Sequence, residues 1–203
     1  MQACCELRPV KDRQRRVLAI VLWINAAMFA LEFGAGVLAA STALLADSVD
    51  MLGDAIVYGF SLYVIGRDDA WHARGALLKG RIMAAFAAGI AVEIVLKLVH
   101  GLSPDAQVMS GVALIALAAN TSVLMFLSRH REDDLNMRSA WLCSRNDVIA
   151  NAGVIVAGGA VWLTGSAWPD IAVGVVIATL FGTSAVAVIR RALHANGPSL
   201  AAR

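Results

Sequence analysis

The chain has 203 residues, of which 59% are apolar and 16% charged, with a net charge of +2 and a mean hydropathy of +0.71. Soluble domains carry about 45–50% apolar and about 25% charged residues, so disorder is excluded, a water-soluble enzyme is disfavoured, and an integral membrane protein is left. The small net charge gives no argument for nucleic acid as a partner, and three cysteines, Cys4, Cys5 and Cys143, are too few and too unevenly spaced for a disulfide framework.

A spanning helix needs roughly 20 mostly apolar residues. Runs of that kind predict helices over Val17 to Ala39, Ala43 to Ile65, Leu77 to Val99, Val108 to Ser128, Met137 to Thr164 and Trp168 to Ala192. The expected fold class is an all-α integral membrane protein, a bundle of six transmembrane helices over residues 17–192. Residues 1–16 and 193–203 read as short cytoplasmic tails. Arg8, Lys11, Arg13, Arg15 and Arg16 precede an apolar run too long for a signal-peptide core, so the first span reads as uncleaved. The other basic clusters agree. Arg67 and Arg74 lie between spans two and three, with Lys79 and Arg81 at the start of span three; Arg129 and Arg131 lie between four and five, with Arg138 at the start of five; Arg190 and Arg191 close span six, and Arg203 follows it. With six spans, all of these fall on the side of both termini, which the positive-inside rule assigns to the cytoplasm. Lys97 alone lies near the opposite side. The expected location is a bacterial inner membrane.

Ionisable residues inside the spans carry the functional information. They are Glu32, then Asp47, Asp50 and Asp54, then Glu93 and Asp147, with Arg145 as the basic residue at comparable depth. A central aspartate costs about 2.5–3.5 kcal/mol to insert, so span two alone carries on the order of 8 kcal/mol of penalty. One arginine neutralises one or two carboxylates; the others must be protonated, face water, or meet a cation from outside.

Helical spacing sharpens the choice. Asp50 and Asp54 are four residues apart on one face of span two, and Cys143 and Asp147 repeat that spacing on span five. The two spans are antiparallel. At a rise of about 1.5 Å per residue, Asp50 and Asp147 each lie roughly 13–14 Å from opposite membrane boundaries, close to the midplane. Two such pairs close a four-coordinate site of carboxylates and one thiolate. That donor set suits a d-block divalent ion, zinc first and cadmium or cobalt next, and not magnesium or calcium. Asp47 is turned partly off the Asp50 face and reads as a helix cap or a partner of Arg145. Asn151, four residues after Asp147, reads as a group that orients a ligand or joins helices. Glu32 and Glu93 are secondary candidates for carrying protons, and Cys4 and Cys5 for capturing ions on the cytoplasmic side.

The segments LLADSVDMLGD (Leu44 to Asp54) and WLCSRNDVIANAGV (Trp141 to Val154) together resemble the cation diffusion facilitator family. The resemblance covers nearly the whole chain and looks most like a short bacterial branch of the cobalt, zinc and cadmium exporters. It implies a metal/proton antiporter, not an enzyme, working by alternating access. It implies no prosthetic group, with zinc, cadmium or cobalt as transported substrate, and protons, membrane lipid and a second copy of the chain as partners. Asp50, Asp54 and Asp147 match the family's site; Cys143 stands where a histidine is usual, which bears on metal preference. The family usually adds a cytoplasmic domain after span six, and the resemblance places this chain among members without it. Two rival readings fit the residues less well. A proton-coupled exporter of small organic cations would want an aromatic-lined pocket, and aromatics are only 6%. A metal-dependent membrane phosphotransferase would need a DGxxAR-type segment, and Ser48 follows Asp47 with no such arginine.

Overall fold

A computed structural model describes residues 12–63, 69–129 and 135–195. Cys4 and Cys5 lie outside the described residues. The elements are α1 (Asp12–Leu38), α2 (Thr42–Tyr63), α3 (Asp69–His100), α4 (Ala106–Ser128), α5 (Leu135–Thr164) and α6 (Trp168–Ala195). In hydrocarbon every backbone N–H and C=O must be paired within the protein, and a continuous helix does this unaided. The expected all-α bundle is what the described residues form. Several helices run past the predicted spans, most of all α3, which starts at Asp69 and not at Leu77.

Among the described residues, five helices are long and apolar enough to cross a membrane; α2 is not one of them. Its three aspartates lower its apolarity, so the helix bearing the expected site is the one that composition alone would leave out.

Alternation of the helices puts the exposed Arg15, Arg16, Arg81, Arg129, Arg138 and Arg190 at one end of the bundle, called here the basic end. The far end holds three tight turns. Between α1 and α2, Ser41 N–H donates to Gly36 C=O at 2.9 Å and Ala40 takes φ 48°. Gly101 and Gly165, both at φ 64°, turn the chain after α3 and α5. Asp105 caps α4 by accepting from Gln107 N and Val108 N at 3.0 and 3.1 Å.

The helices associate mainly as α1 with α2, α4 with α5 and α3 with α6, while α2 also packs on α6. Small residues allow these approaches. A Cβ on Gly158 would sit 2.2 Å from Ser110 Oγ, and one on Gly36 would sit 3.0 Å from the Leu45 side chain. The core joins Leu44, Val49, Met83, Met109, Val154 and Phe181 from five helices. Large apolar side chains such as Trp23, Val156, Trp162 and Leu163 point outward and are more than 70% exposed, as lipid-facing surfaces require.

Candidate metal site

The two faces of α2 differ. Asp47, Met51, Asp54 and Tyr58 follow one another at spacings of four, three and four, and all are buried. Asp50 lies off that stripe and is half-buried. Asp50 and Asp54 from α2, together with Cys143 and Asn146 from α5, line a cavity of 520 Å³. Met83 of α3 and Phe181 and Ser184 of α6 line the same cavity. Tyr58 Oη donates to Asp54 Oδ2 at 3.1 Å, one turn along the helix.

Asp147 is 2% exposed, and its carboxyl meets that of Asp50 across the α2–α5 interface. Two carboxylates in contact repel each other, so the pair holds together only with a proton or a cation between them. The structure therefore brings the acid of α5 to the acid of α2, with Asp54 and Cys143 on the adjoining cavity wall. Among the described residues, no three His, Cys, Asp or Glu side chains are gathered closely enough to hold a single ion.

The secondary candidates fall in different places. Arg145 is exposed, and its guanidinium lies 5.6 Å from the centre of the Trp141 ring. It does not meet Asp47, whose two carboxyl oxygens are buried with no hydrogen-bond partner. The expectation that Asp47 caps a helix or pairs with Arg145 is thus corrected. The reason is azimuthal: residues two apart on a helix do not share a face, so a buried Asp147 turns Arg145 outward. Asn151 is buried and donates from Nδ2 to Asp147 C=O at 2.9 Å, leaving its Oδ1 without a partner. Glu32 is buried on α1, both oxygens unpartnered. Glu93 is part-buried and accepts from Thr42 Oγ1 at 2.7 Å. That bond holds it at the start of α2, two turns from Asp50.

Glu93 belongs to a polar cluster that the sequence does not reveal. Lys97 and Asp170 form a fully buried ion pair at 2.5 Å. Asp170 Oδ1 accepts from Ser41 Oγ at 2.7 Å and from Ala43 N at 3.1 Å, and Oδ2 accepts from Thr42 N at 2.8 Å. Lys97 also donates to Ala40 C=O at 2.5 Å and to Thr42 Oγ1 at 3.3 Å. A carboxylate from α6 thereby caps the first turn of α2, where free N–H groups and the helix dipole favour an anion. Arg145 is accordingly not the basic residue that matters inside the bundle; Lys97 is. A second missed residue is Asn146 in the cavity wall, visible in the sequence only as one more polar side chain in span five.

The cation efflux transmembrane domain model matches residues 18–70 and 74–195. The chain belongs to the cation efflux family, that of the cation diffusion facilitators. Among relatives in this family, the metal cation efflux system protein CzcD of Cupriavidus metallidurans is 27% identical over 174 residues, covering 80% of this chain and 55% of that protein. The cadmium, cobalt and zinc/H(+)-K(+) antiporter of Bacillus velezensis is 26% identical over 194 residues, 89% of this chain and 62% of its own length. The zinc transporter ZitB of Yersinia pestis is 26% identical over 197 residues, 91% and 63% respectively. The chain thus spans little more than half the length of these cation efflux proteins.

Proposed function

We propose that this protein exports divalent transition-metal cations, zinc foremost and cadmium or cobalt as alternatives, in exchange for protons. The single observation that carries this reading is the Asp50–Asp147 contact between facing helices, beside a cavity walled by Asp54 and Cys143. Three carboxylates and a thiolate form a donor set for a borderline-soft divalent ion. The relatives' names, which speak of metal cation efflux and of zinc, cadmium and cobalt, support the same substrates.

In the proposed cycle the basic end faces the cytoplasm of a bacterial inner membrane, following the distribution of arginines. Asp50, Asp54, Asp147 and Cys143 lose protons as they close around the ion, because ligands bind metal only when deprotonated. Rocking of the bundle exposes the site on the far side. Protons then displace the ion, and the neutral site returns. A proton gradient directed inward drives export. A second copy of the chain, meeting the first through its spans, is part of this proposal. The protein is a transporter in this reading and needs no prosthetic group; metal ion and proton are its substrates.

The test is zinc-driven proton movement in reconstituted vesicles. Asp50→Ala and Asp147→Ala are expected to abolish it, and normal transport by both variants would end the proposal. One observation favours a second reading. The cavity falls within the range of small-molecule sites, roughly 300–1,000 Å³, which suits a small organic cation. Phe181, however, is the one aromatic residue among the described residues lining it.

A further inference from the structure

Seven buried side-chain atoms have no hydrogen-bond partner among the described residues: one oxygen each on Asn25, Asn120 and Asn151, and both carboxyl oxygens of Glu32 and Asp47. All seven are acceptors. Buried acceptors without donors are costly, most of all on an uncompensated carboxylate. They lie on the inward faces of α1, α2, α4 and α5, whereas the 520 Å³ cavity is lined from α2, α3, α5 and α6.

The α1–α2 hairpin fixes where the two carboxyls stand. Its register pairs Met28 with Met51 in one buried cluster and Gly36 with Leu45 at the turn. One helical turn from Met28 toward the far end is Glu32, and one turn from Met51 in the same direction is Asp47. Measured from the far ends of their helices, Glu32 lies about 9 Å in and Asp47 about 8 Å in. They stand opposite each other at one level. Asp47 is within electrostatic range of both Glu32 and Asp147. Asn151 is one turn beyond Asp147 in the same direction, and its free Oδ1 is fully buried. On α4 the neighbouring buried positions are Ala113 and Ala116, which offer no polar atom.

We propose that Glu32 and Asp47, with Asn151 Oδ1, form a second divalent-cation position between the Asp50–Asp147 site and the far end of the bundle. Four carboxylate oxygens and an amide oxygen give a harder site than the one containing Cys143, so it holds a transition-metal ion more weakly. A weaker station on the far side is what an exported ion needs in order to leave. The inference rests on the transport reading above for the direction of movement, but the site itself rests on the unpaired oxygens.

Zinc binding by the purified full chain, measured by equilibrium dialysis, tests it. The wild type is expected to bind two zinc ions, one tightly and one weakly. Glu32→Gln should keep the tight ion and lose the weak one. Asp50→Asn/Asp147→Asn should do the reverse, and the combined variant should bind none. In vesicles Glu32→Gln should slow zinc flux by at least about tenfold, as loss of groups around a metal does. Stoichiometry unchanged by Glu32→Gln would overturn the second position. Stoichiometry unchanged by Asp50→Asn/Asp147→Asn would overturn the first and leave the Glu32 result readable. Should Glu32→Gln fail to fold, Asp47→Asn is expected to give the same loss of the weak ion, and its full retention overturns the proposal equally.

Discussion

Substituting Lys97→Met removes the ammonium from the buried cluster at the far end while keeping most of its volume. Asp170 then loses its ion-pair partner at 2.5 Å. It keeps Ser41 Oγ, Thr42 N and Ala43 N as donors. Breaking a buried ion pair costs about 3–5 kcal/mol, and the three retained donors place this case near the lower bound, about 3 kcal/mol. For a chain of this size each kcal/mol lowers the melting temperature by about 2–4 °C, so a drop of about 6–12 °C is expected. Asp170→Asn should cost more. It leaves the buried Lys97 ammonium with neutral acceptors in place of the Asp170 carboxylate, Ala40 C=O and Thr42 Oγ1 among them, and it weakens the cap on the first turn of α2, a contribution of about 1 kcal/mol. The double variant should lose less than the sum of the two, since partners in one network are not additive. Thermal melts of the detergent-purified protein read all three. A shift under about 2 °C for Lys97→Met would refute the view that this ion pair holds α2, α3 and α6 together.

Cys143→His should shift the ranking of zinc, cadmium and cobalt in a transport competition toward zinc, because it removes the soft thiolate; an unchanged ranking would remove Cys143 from the ligand set. Gly174→Ala should destabilise by about 1–3 kcal/mol, since its Cβ would lie 2.6 Å from Thr42 Cγ2 and 2.9 Å from the Thr42 backbone carbon; a melt within error of wild type would contradict the close α2–α6 approach. Arg145→Gln should leave both zinc flux and melting temperature unchanged, as its guanidinium stacks on Trp141 at the surface; a large loss of flux would return Arg145 to the site.

Hydropathy read the bundle well because a bilayer imposes one length and one composition on every span. It misjudged the start of α3, since apolarity reports the hydrocarbon slab and helical hydrogen bonding continues beyond it. Spacing of four on a helix linked Asp50 with Asp54 and Cys143 with Asp147, and depth counted along antiparallel helices led to the Asp50–Asp147 contact. Depth says nothing of azimuth, however, and so Arg145 was expected to neutralise carboxylates that it does not face. The Lys97–Asp170 pair was illegible for another reason. Its members are 73 residues apart, and only the packing of α3 and α6 against the start of α2 brings them together. Glu32 and Asp47 stood out as costly residues, but their lack of partners is a property of the surrounding apolar side chains.

In the proposed cycle a transition-metal ion balances the acids inside this bundle. Thermal stabilisation by added ligand tests it most directly, because a ligand that binds only the folded state adds about 2.7 kcal/mol at a hundred times its Kd, or roughly 5–11 °C here. Zinc, cadmium or cobalt is expected to produce that shift in the wild type and not in Asp50→Asn/Asp147→Asn. Stabilisation by a panel of small organic cations, with none from the metals, would contradict the account.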